Sequence, residues 1–347
     1  MNDNHHAIPR NTILVGDVRT RLSELPDASV HCVITSPPYW GLRDYGHPGQ
    51  IGAEPTVQAW AETISAVCDD IGRVLRPDGV LWLNLGDGYS RHIREGASKK
   101  CLLLGPERVA LKMTQSGWLL RNKVIWAKRN AMPANVRDRL STTHEYLYCF
   151  TRSPHYFYDL DVIREPAVTA DKQQRAGSRP NYPPRSAVPS LGGGSTPRVD
   201  LNHGLSAMKA RGVQSHPLGK NPGDVFNVST ASYHGAHFAT FPVELVRRPL
   251  LASCPERACT NCGAPWLRAQ HSMTGGQAIR GSLHPGCECR ASWQPGLALD
   301  PFIGAGTVAV AAERFGRDWV GIELNPKFAG MAEERIAEDR ARRTPGF

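Results

Sequence analysis

Residues 296–323 read GLALDPFIGAGTVAVAAERFGRDWVGIE. The run Gly296–Asp300 predicts a strand, Pro301–Gly306 a glycine-containing turn, Thr307–Phe315 a helix and Trp319–Glu323 a second strand. Strand, turn, helix, strand is the repeating unit of a parallel sheet, whose carboxyl edge is where ligands bind. Gly304 and Gly306 stand where strand becomes helix, so backbone can come close to a bound molecule. No Lys follows the second glycine and the third glycine of the dinucleotide fingerprint is missing, which disfavours a pyrophosphate. Glu323, 17 residues after Gly306, ends the second strand where a carboxylate can accept bonds from two ribose hydroxyls.

An amphipathic helix of about Pro326–Arg342 follows, and residues 11 to about 160 repeat the α/β pattern. Strands are predicted at Thr12–Val15, Val30–Thr35, Gly79–Leu85, Leu119–Trp126 and Glu145–Thr151. Trp60, Ile64, Val67, Ile71 and Val74 give Thr56–Val74 helical spacing. The strand Val30–Thr35 runs directly into Ser36-Pro37-Pro38-Tyr39, which a parallel sheet delivers to the same edge as the glycine turn. Its two prolines fix the backbone and leave the preceding carbonyls without local partners. Ser36 Oγ and the Pro37 carbonyl can then accept two hydrogen bonds from one amino group, with Tyr39 offering a face to an aromatic ring. A plain strand-to-loop turn is the bland alternative. Asn84–Asp87 ends a strand at this edge and is a candidate for the pocket wall. Arg43 and Asp44 are either contacts to a bound strand or a surface pair. Trp60, Trp82 and Trp118 are expected in the core.

A chain of 347 residues suffices for one large α/β domain with additions, or for two domains. Wholesale disorder and a disulfide miniprotein are excluded. No apolar leader and no run of about 18 apolar residues is present, so a cytoplasmic protein is expected, with no membrane partner. The net charge of +9 suggests a polyanion partner. Residues 166–222 hold eight Lys and Arg against two Asp, with much Pro, Gly and Ser. Such a composition buries too little apolar surface to offset its ordering entropy, so an anion would order it; a solvated linker is the alternative.

Five of the nine cysteines lie between Cys254 and Cys289. Cys259-x-x-Cys262 and Cys287-x-Cys289, separated by 24 residues, are two close pairs of the kind that hold tetrahedral zinc, and Gly263 permits the knuckle turn. Four unrelated core cysteines are the alternative. With four thiolates the zinc would be structural, since no open position remains for chemistry.

Ser36-Pro37-Pro38-Tyr39 together with Phe302-x-Gly304-x-Gly306 strongly resembles the DNA amino-methyltransferases, which methylate an exocyclic nitrogen of cytosine or adenine using S-adenosylmethionine. The motif order resembles their circularly permuted β group, and the likeness extends over most of the chain. Gly16-Asp17, the stretch His237–Pro242, and Asn122–Lys128 with His144–Phe150 resemble further elements of that family. The resemblance implies a Rossmann-like methyltransferase fold: a mostly parallel seven-stranded sheet with helices on both faces, here with a small four-cysteine zinc insert. Together with the basic composition and the cysteine spacing, which have no firm template in that family, it divides the chain into a catalytic half (11–165), a basic target-recognition region (166–235), a helix before the cofactor turn (236–253), the zinc insert (254–292) and a cofactor-binding half (293–343).

By the same resemblance, Asp300, Phe302, Gly304, Gly306, Thr307 and Glu323 hold the cofactor, Asp17 reads its adenine amino group, and Ser36, Pro37, Pro38 and Tyr39 face a base flipped out of double-stranded DNA. Carbon-5 methylation would need a Cys nucleophile, typically in a Pro-Cys pair, and none occurs. Ser at the first motif position is the commoner form in cytosine-N4 enzymes, so that product is favoured, with adenine-N6 as the alternative. A zinc-dependent DNA-binding protein on a non-catalytic methyltransferase scaffold is a second alternative. Methylation of RNA or of a protein amide is disfavoured by Ser36 and the basic region. A cognate restriction endonuclease and a second copy of the chain are candidate partners.

Overall fold

A computed structural model describes residues 8–44, 46–166, 216–230, 241–274 and 277–343. Most of the basic stretch within 166–222, and His237–Thr240 of the stretch before the predicted helix, therefore lie outside the described residues. The chain divides into two units. The larger comprises residues 1–163, 223–269 and 282–347. The smaller comprises 164–222 and 270–281; within it Glu165 bridges Lys220 in antiparallel fashion, and Ser272–Thr274 pairs with Gln277–Ile279.

The larger unit is built on a sheet of eight strands. In chain order these are β1 (Thr12–Val15), β2 (Val30–Thr35), β3 (Leu75–Leu85), β4 (Leu119–Lys128), β5 (His144–Thr151), β6 (Val225–Val228), β13 (Leu297–Asp300) and β14 (Asp318–Glu323). Between them, β7 (Ala258–Cys259) pairs with β12 (Trp293–Gln294) and β8 (Leu267–Arg268) with β11 (Leu283–His284), while β9 (Ser272–Thr274) and β10 (Gln277–Ile279) are the smaller unit's hairpin. The spatial order is β1-β14-β13-β2-β3-β5-β4-β6. All pairings are parallel except those of β5 with β3 and β4, so β5 alone runs against the rest. The expected seven strands are thus eight. The extra one, β6, is four residues long and pairs only with β4, inside the segment 166–235 read above as target recognition.

Helices α1 (Val18–Ser23), α2 (Val57–Val74) and α3 (Gly105–Gln115) cover one face of the sheet, and α4 (Val243–Ser253), α5 (Thr307–Arg314) and α6 (Pro326–Arg343) contribute to the core on the other. Successive strand residues point to opposite faces, and the two cores sort accordingly. Val33, Leu81, Leu83, Leu299 and Ile322 pack with α1–α3, whereas Cys32, Ile34, Trp82, Ala298 and Trp319 pack with α4 and α5. Trp60, Trp82 and Trp118 are buried as expected. The Thr56 side chain caps α2 by accepting from the Ala59 amide at 3.1 Å.

The decisive pairing is between β2 and β13, whose sequences lie at opposite ends of the chain. They run side by side with Cys32 opposite Ala298 and Val33 opposite Leu299. At their carboxyl ends the Thr35 hydroxyl donates to Asp300 Oδ1 at 2.7 Å, a fully buried bond. Asp300 Oδ1 also accepts from the Phe302 amide at 3.1 Å, while Oδ2 is buried with no partner among the described residues. Burial pushes the Asp300 carboxyl up to about 7, against the opposing pull of the Thr35 and Phe302 donors.

Because the folded carboxyl holds its proton more tightly than the unfolded one, ionising it costs stability. Stability should therefore fall as pH rises from about 4 to about 7, and the contribution should level off above that. Denaturant melts across this range are expected to show Asp300→Asn losing less stability than wild type as pH rises. Thr35→Val, which removes the donor but leaves the acid, should cost about 1–3 kcal/mol at pH 8.

Candidate active site

The carboxyl ends of β1, β2, β3, β4, β13 and β14 meet at one edge, and the reversed β5 brings its amino end there. A cavity of about 710 Å³ opens between them. Its wall includes Asp17, Ser36–Tyr39, Phe302, Gly304, Thr307 and Glu323, so most residues singled out from the sequence surround a single space.

Each is held by local structure. Gly304 and Gly306 have φ of +48° and +76°, a region where side chains strain the backbone. Gly306 caps α5, and a Cβ there would sit 3.2–3.3 Å from Ile336 and Ala332 of α6. The second glycine therefore serves the fit of the turn against α6, rather than only the approach to a ligand expected from the sequence. Glu323 Oε2 accepts from the Gly304 amide and Oε1 from the Asn325 amide, each at 3.0 Å, which aligns the carboxylate beside the turn. Burial raises its carboxyl above the usual range. Asp17 caps α1 through the Arg19 amide at 2.9 Å and pairs with the Arg19 guanidinium, which holds its carboxyl below the usual range. Thr307 is buried, and its hydroxyl accepts from Arg335 of α6 at 3.0 Å. Asp300 lies beneath the turn as the buried partner of Thr35.

On the other side, the Trp60 indole donates to the Pro38 carbonyl at 2.9 Å, so a core residue of α2 pins the tetrapeptide. Ser36 Oγ is 3.2 Å from the Tyr39 hydroxyl, which donates to Glu145 Oε2 at 2.7 Å and lies 3.1 Å from Asn84 Oδ1. Lys128 forms an ion pair with Glu145. Gly86 leaves room for the Tyr39 ring, since a Cβ there would lie 2.7 Å from Cε2. Asn84 lines the cavity, but Asp87 turns away to accept from the amides of Gly88, Leu104 and Gly105 at the start of α3. Arg43 is in the cavity wall with a buried, unpartnered Nη1, while Asp44 accepts from the Gly46 amide. Glu145, Lys128, Trp126 and Phe241 are wall residues that sequence reasoning missed. For Glu145, knowledge that β5 is reversed would have been the signal.

Away from the cavity, the sulfurs of Cys259, Cys262, Cys287 and Cys289 all lie within 4.8 Å of one another. Four thiolates around zinc, at about 2.3 Å each, sit about 3.8 Å apart, so the cluster is compatible with one ion. Gly263 takes a φ of +69° and its amide donates to the Cys259 carbonyl at 2.9 Å. The amides of Cys262 and Asn261 donate to Cys259 and pull its thiol down to about 7. The knuckle is fastened to the sheet from below. Arg76 donates to the Cys262 carbonyl at 3.0 Å, and His31 Nε2 donates to the Gly263 carbonyl at 2.9 Å. The other nitrogen of His31 accepts from the Leu297 amide at 3.0 Å, and burial pushes the imidazole down to about 4.

A family model described as DNA methylase, N6_N4_Mtase, matches residues 30–334. The type II methyltransferase M.XycI of Xanthomonas campestris pv. cyanopsidis is 33% identical, over 94% of this chain and 87% of that protein. M.SmaI of Serratia marcescens is 32% identical, over 94% and 91%. Among solved structures, a Thermus thermophilus protein complexed with S-adenosyl-L-methionine aligns over 97% of both chains, with a TM-score of 0.51 and 22% identity. The cytosine-N4-specific PvuII DNA methyltransferase aligns over 96% of this chain and 93% of that one, with a TM-score of 0.57 and 15% identity. At such identities these two structures speak for the fold alone. The family match takes in both the tetrapeptide and the glycine turn that share the cavity, and on that ground the chain belongs to the N6_N4_Mtase family of DNA methylases.

Proposed function

We propose that the protein transfers a methyl group from S-adenosylmethionine to the exocyclic N4 of cytosine in double-stranded DNA. The observation that carries this reading is the Thr35–Asp300 junction, which sets the tetrapeptide and the glycine turn around one cavity. The turn side suits the cofactor. Each Glu323 oxygen, already aligned by one amide, keeps accepting capacity for a ribose hydroxyl, and Asp300 holds the turn from beneath. Phe302 packs beside the cofactor, Gly304, Gly306 and Thr307 shape its cradle, and Asp17 reads the adenine amino group. When bound, the cofactor supplies an electrophilic methyl sulfonium.

The protein's own task is to prepare the nucleophile. An exocyclic amino lone pair is delocalised into its base and attacks poorly until hydrogen bonds draw its protons away from the ring plane. Ser36 Oγ and the Pro37 carbonyl accept those bonds, and Pro38 and Tyr39 shape the face against which the flipped base lies. Alignment, and partial negative charge near a nitrogen that becomes cationic as it takes the methyl group, supply the acceleration, and one of the nitrogen's two protons then leaves to water. Ser36 supports cytosine; adenine N6 in the same cavity is the outcome product analysis distinguishes. The zinc is structural, because four thiolates fill a tetrahedron and the knuckle lies away from the cavity. The type II names of the relatives support pairing with a restriction endonuclease.

Duplex DNA incubated with methyl-labelled cofactor, then digested to nucleosides, is expected to yield N4-methylcytosine. Ser36→Ala should lower incorporation at least about 100-fold while DNA binding persists. N6-methyladenine as product would overturn the base assignment, and DNA binding by wild type without incorporation would overturn catalysis. Elemental analysis should find one zinc per chain. Cys262→Ser should release it and lower the melting temperature by several degrees, on the order of 1–3 kcal/mol of stability.

A further inference from the structure

A serine hydroxyl is ambivalent: it both donates and accepts. If Ser36 is to accept from a substrate amino group, as the proposed reaction requires, its own proton must point elsewhere. The cavity wall contains the groups that decide this. The Tyr39 hydroxyl, 3.2 Å from Ser36 Oγ, has one proton and faces two acceptors, Glu145 Oε2 at 2.7 Å and Asn84 Oδ1 at 3.1 Å. The Asn84 amide cannot reverse without loss, because its Nδ2 donates to the Tyr146 carbonyl at 3.0 Å. A carboxylate has no proton to give, so the tyrosine proton goes to Glu145. The bond between Ser36 and Tyr39 can then run in one direction only, with Ser36 donating.

We propose that Glu145 is a positioning residue that sets the hydrogen-bond polarity of Ser36, through Tyr39, so that the serine lone pairs face the amino group to be methylated. The chain Ser36 to Tyr39 to Glu145 draws electron density toward Ser36 Oγ, strengthening it as an acceptor when the amine becomes cationic. Lys128 completes the device. Its ammonium, paired with the other oxygen of Glu145, only donates, so whatever stands at position 145 must present an acceptor to it. In Glu145→Gln the amide oxygen therefore turns to Lys128 and the NH2 group to Tyr39, so the tyrosine proton is left to the neutral Asn84 Oδ1 at 3.1 Å or to Ser36 itself, and Ser36 loses the charge-assisted bond that fixed its polarity. The inference rests on the methyltransfer reading. It differs from a structural role for Glu145 because it acts through the chemistry of Ser36.

The test is single-turnover methylation of duplex DNA at saturating cofactor. Incorporation by wild type establishes the reaction independently of Glu145; if wild type is inactive, the reading of the function fails rather than this inference. Glu145→Gln is expected to lower the single-turnover rate about 10- to 100-fold, with DNA affinity and melting temperature unchanged. In a Ser36→Asp background, where position 36 can only accept, Glu145→Gln should cost less than about threefold. An equal loss in both backgrounds, or no loss in wild type, overturns the proposal. Should Ser36→Asp have no measurable rate, Tyr39→Phe takes its place. Adding Glu145→Gln to Tyr39→Phe should then change the rate less than about twofold, and multiplying losses overturn the proposal.

Discussion

A hydrogen bond between Thr35 and Asp300 joins two strands from opposite ends of the chain, and the rest of the site is arranged around it. The bond lies in a buried region where an unsatisfied carboxylate is costly, so it specifies the register of β2 against β13 as well as their adjacency. A shift of β2 by one residue would turn Val33 toward the opposite face, away from the helices it now packs against. Register then decides function, because each strand runs straight into its working turn. Ser36 follows Thr35, and Pro301 follows Asp300.

Much of this was legible in the sequence. The bounds of β2, β13, β14, α2 and α6 follow from apolar periodicity and from the glycine and proline punctuation, to within a residue or two. Of the residues to which the resemblance carried by Ser36–Tyr39 and by the Phe302–Gly306 turn pointed, most line the cavity, whereas Asp300 and Gly306 stand behind its wall. What could not be read has physical reasons. β6 is four residues with one buried side chain, and nothing local marks such a strand, which forms only because β4 offers an edge. Asp87 follows the end of β3 at the working edge, yet the start of α3 has a left-handed residue, Leu104, with no cap of its own, and Asp87 supplies the missing acceptor. Glu145 stayed hidden for a topological reason. In an all-parallel sheet the first residues of a strand lie at the edge away from the ligand, and only the reversal of β5 brings Glu145 to the working edge.

The two ends of β2 are held in different ways. Its carboxyl end meets the cavity, whereas near its amino end His31 is clasped between the Gly263 carbonyl of the cysteine knuckle and the Leu297 amide that opens β13. Both bonds together fix the imidazole as the neutral form protonated on Nε2, since one nitrogen must give and the other receive. The knuckle thus leans on the same two strands that Thr35 and Asp300 tie at their far ends.

That placement has a consequence for how such an insert could be exchanged among related scaffolds. A module that only decorates a surface travels as a cassette, with its linkers as the sole requirement. This one contributes a main-chain carbonyl to an enclosed socket, so a recipient must bring a matching imidazole, and a donor stripped of it leaves a dry nitrogen with no recipient for its hydrogen. The knuckle and the strand beneath it therefore have to be moved together, though 232 positions separate His31 from Gly263.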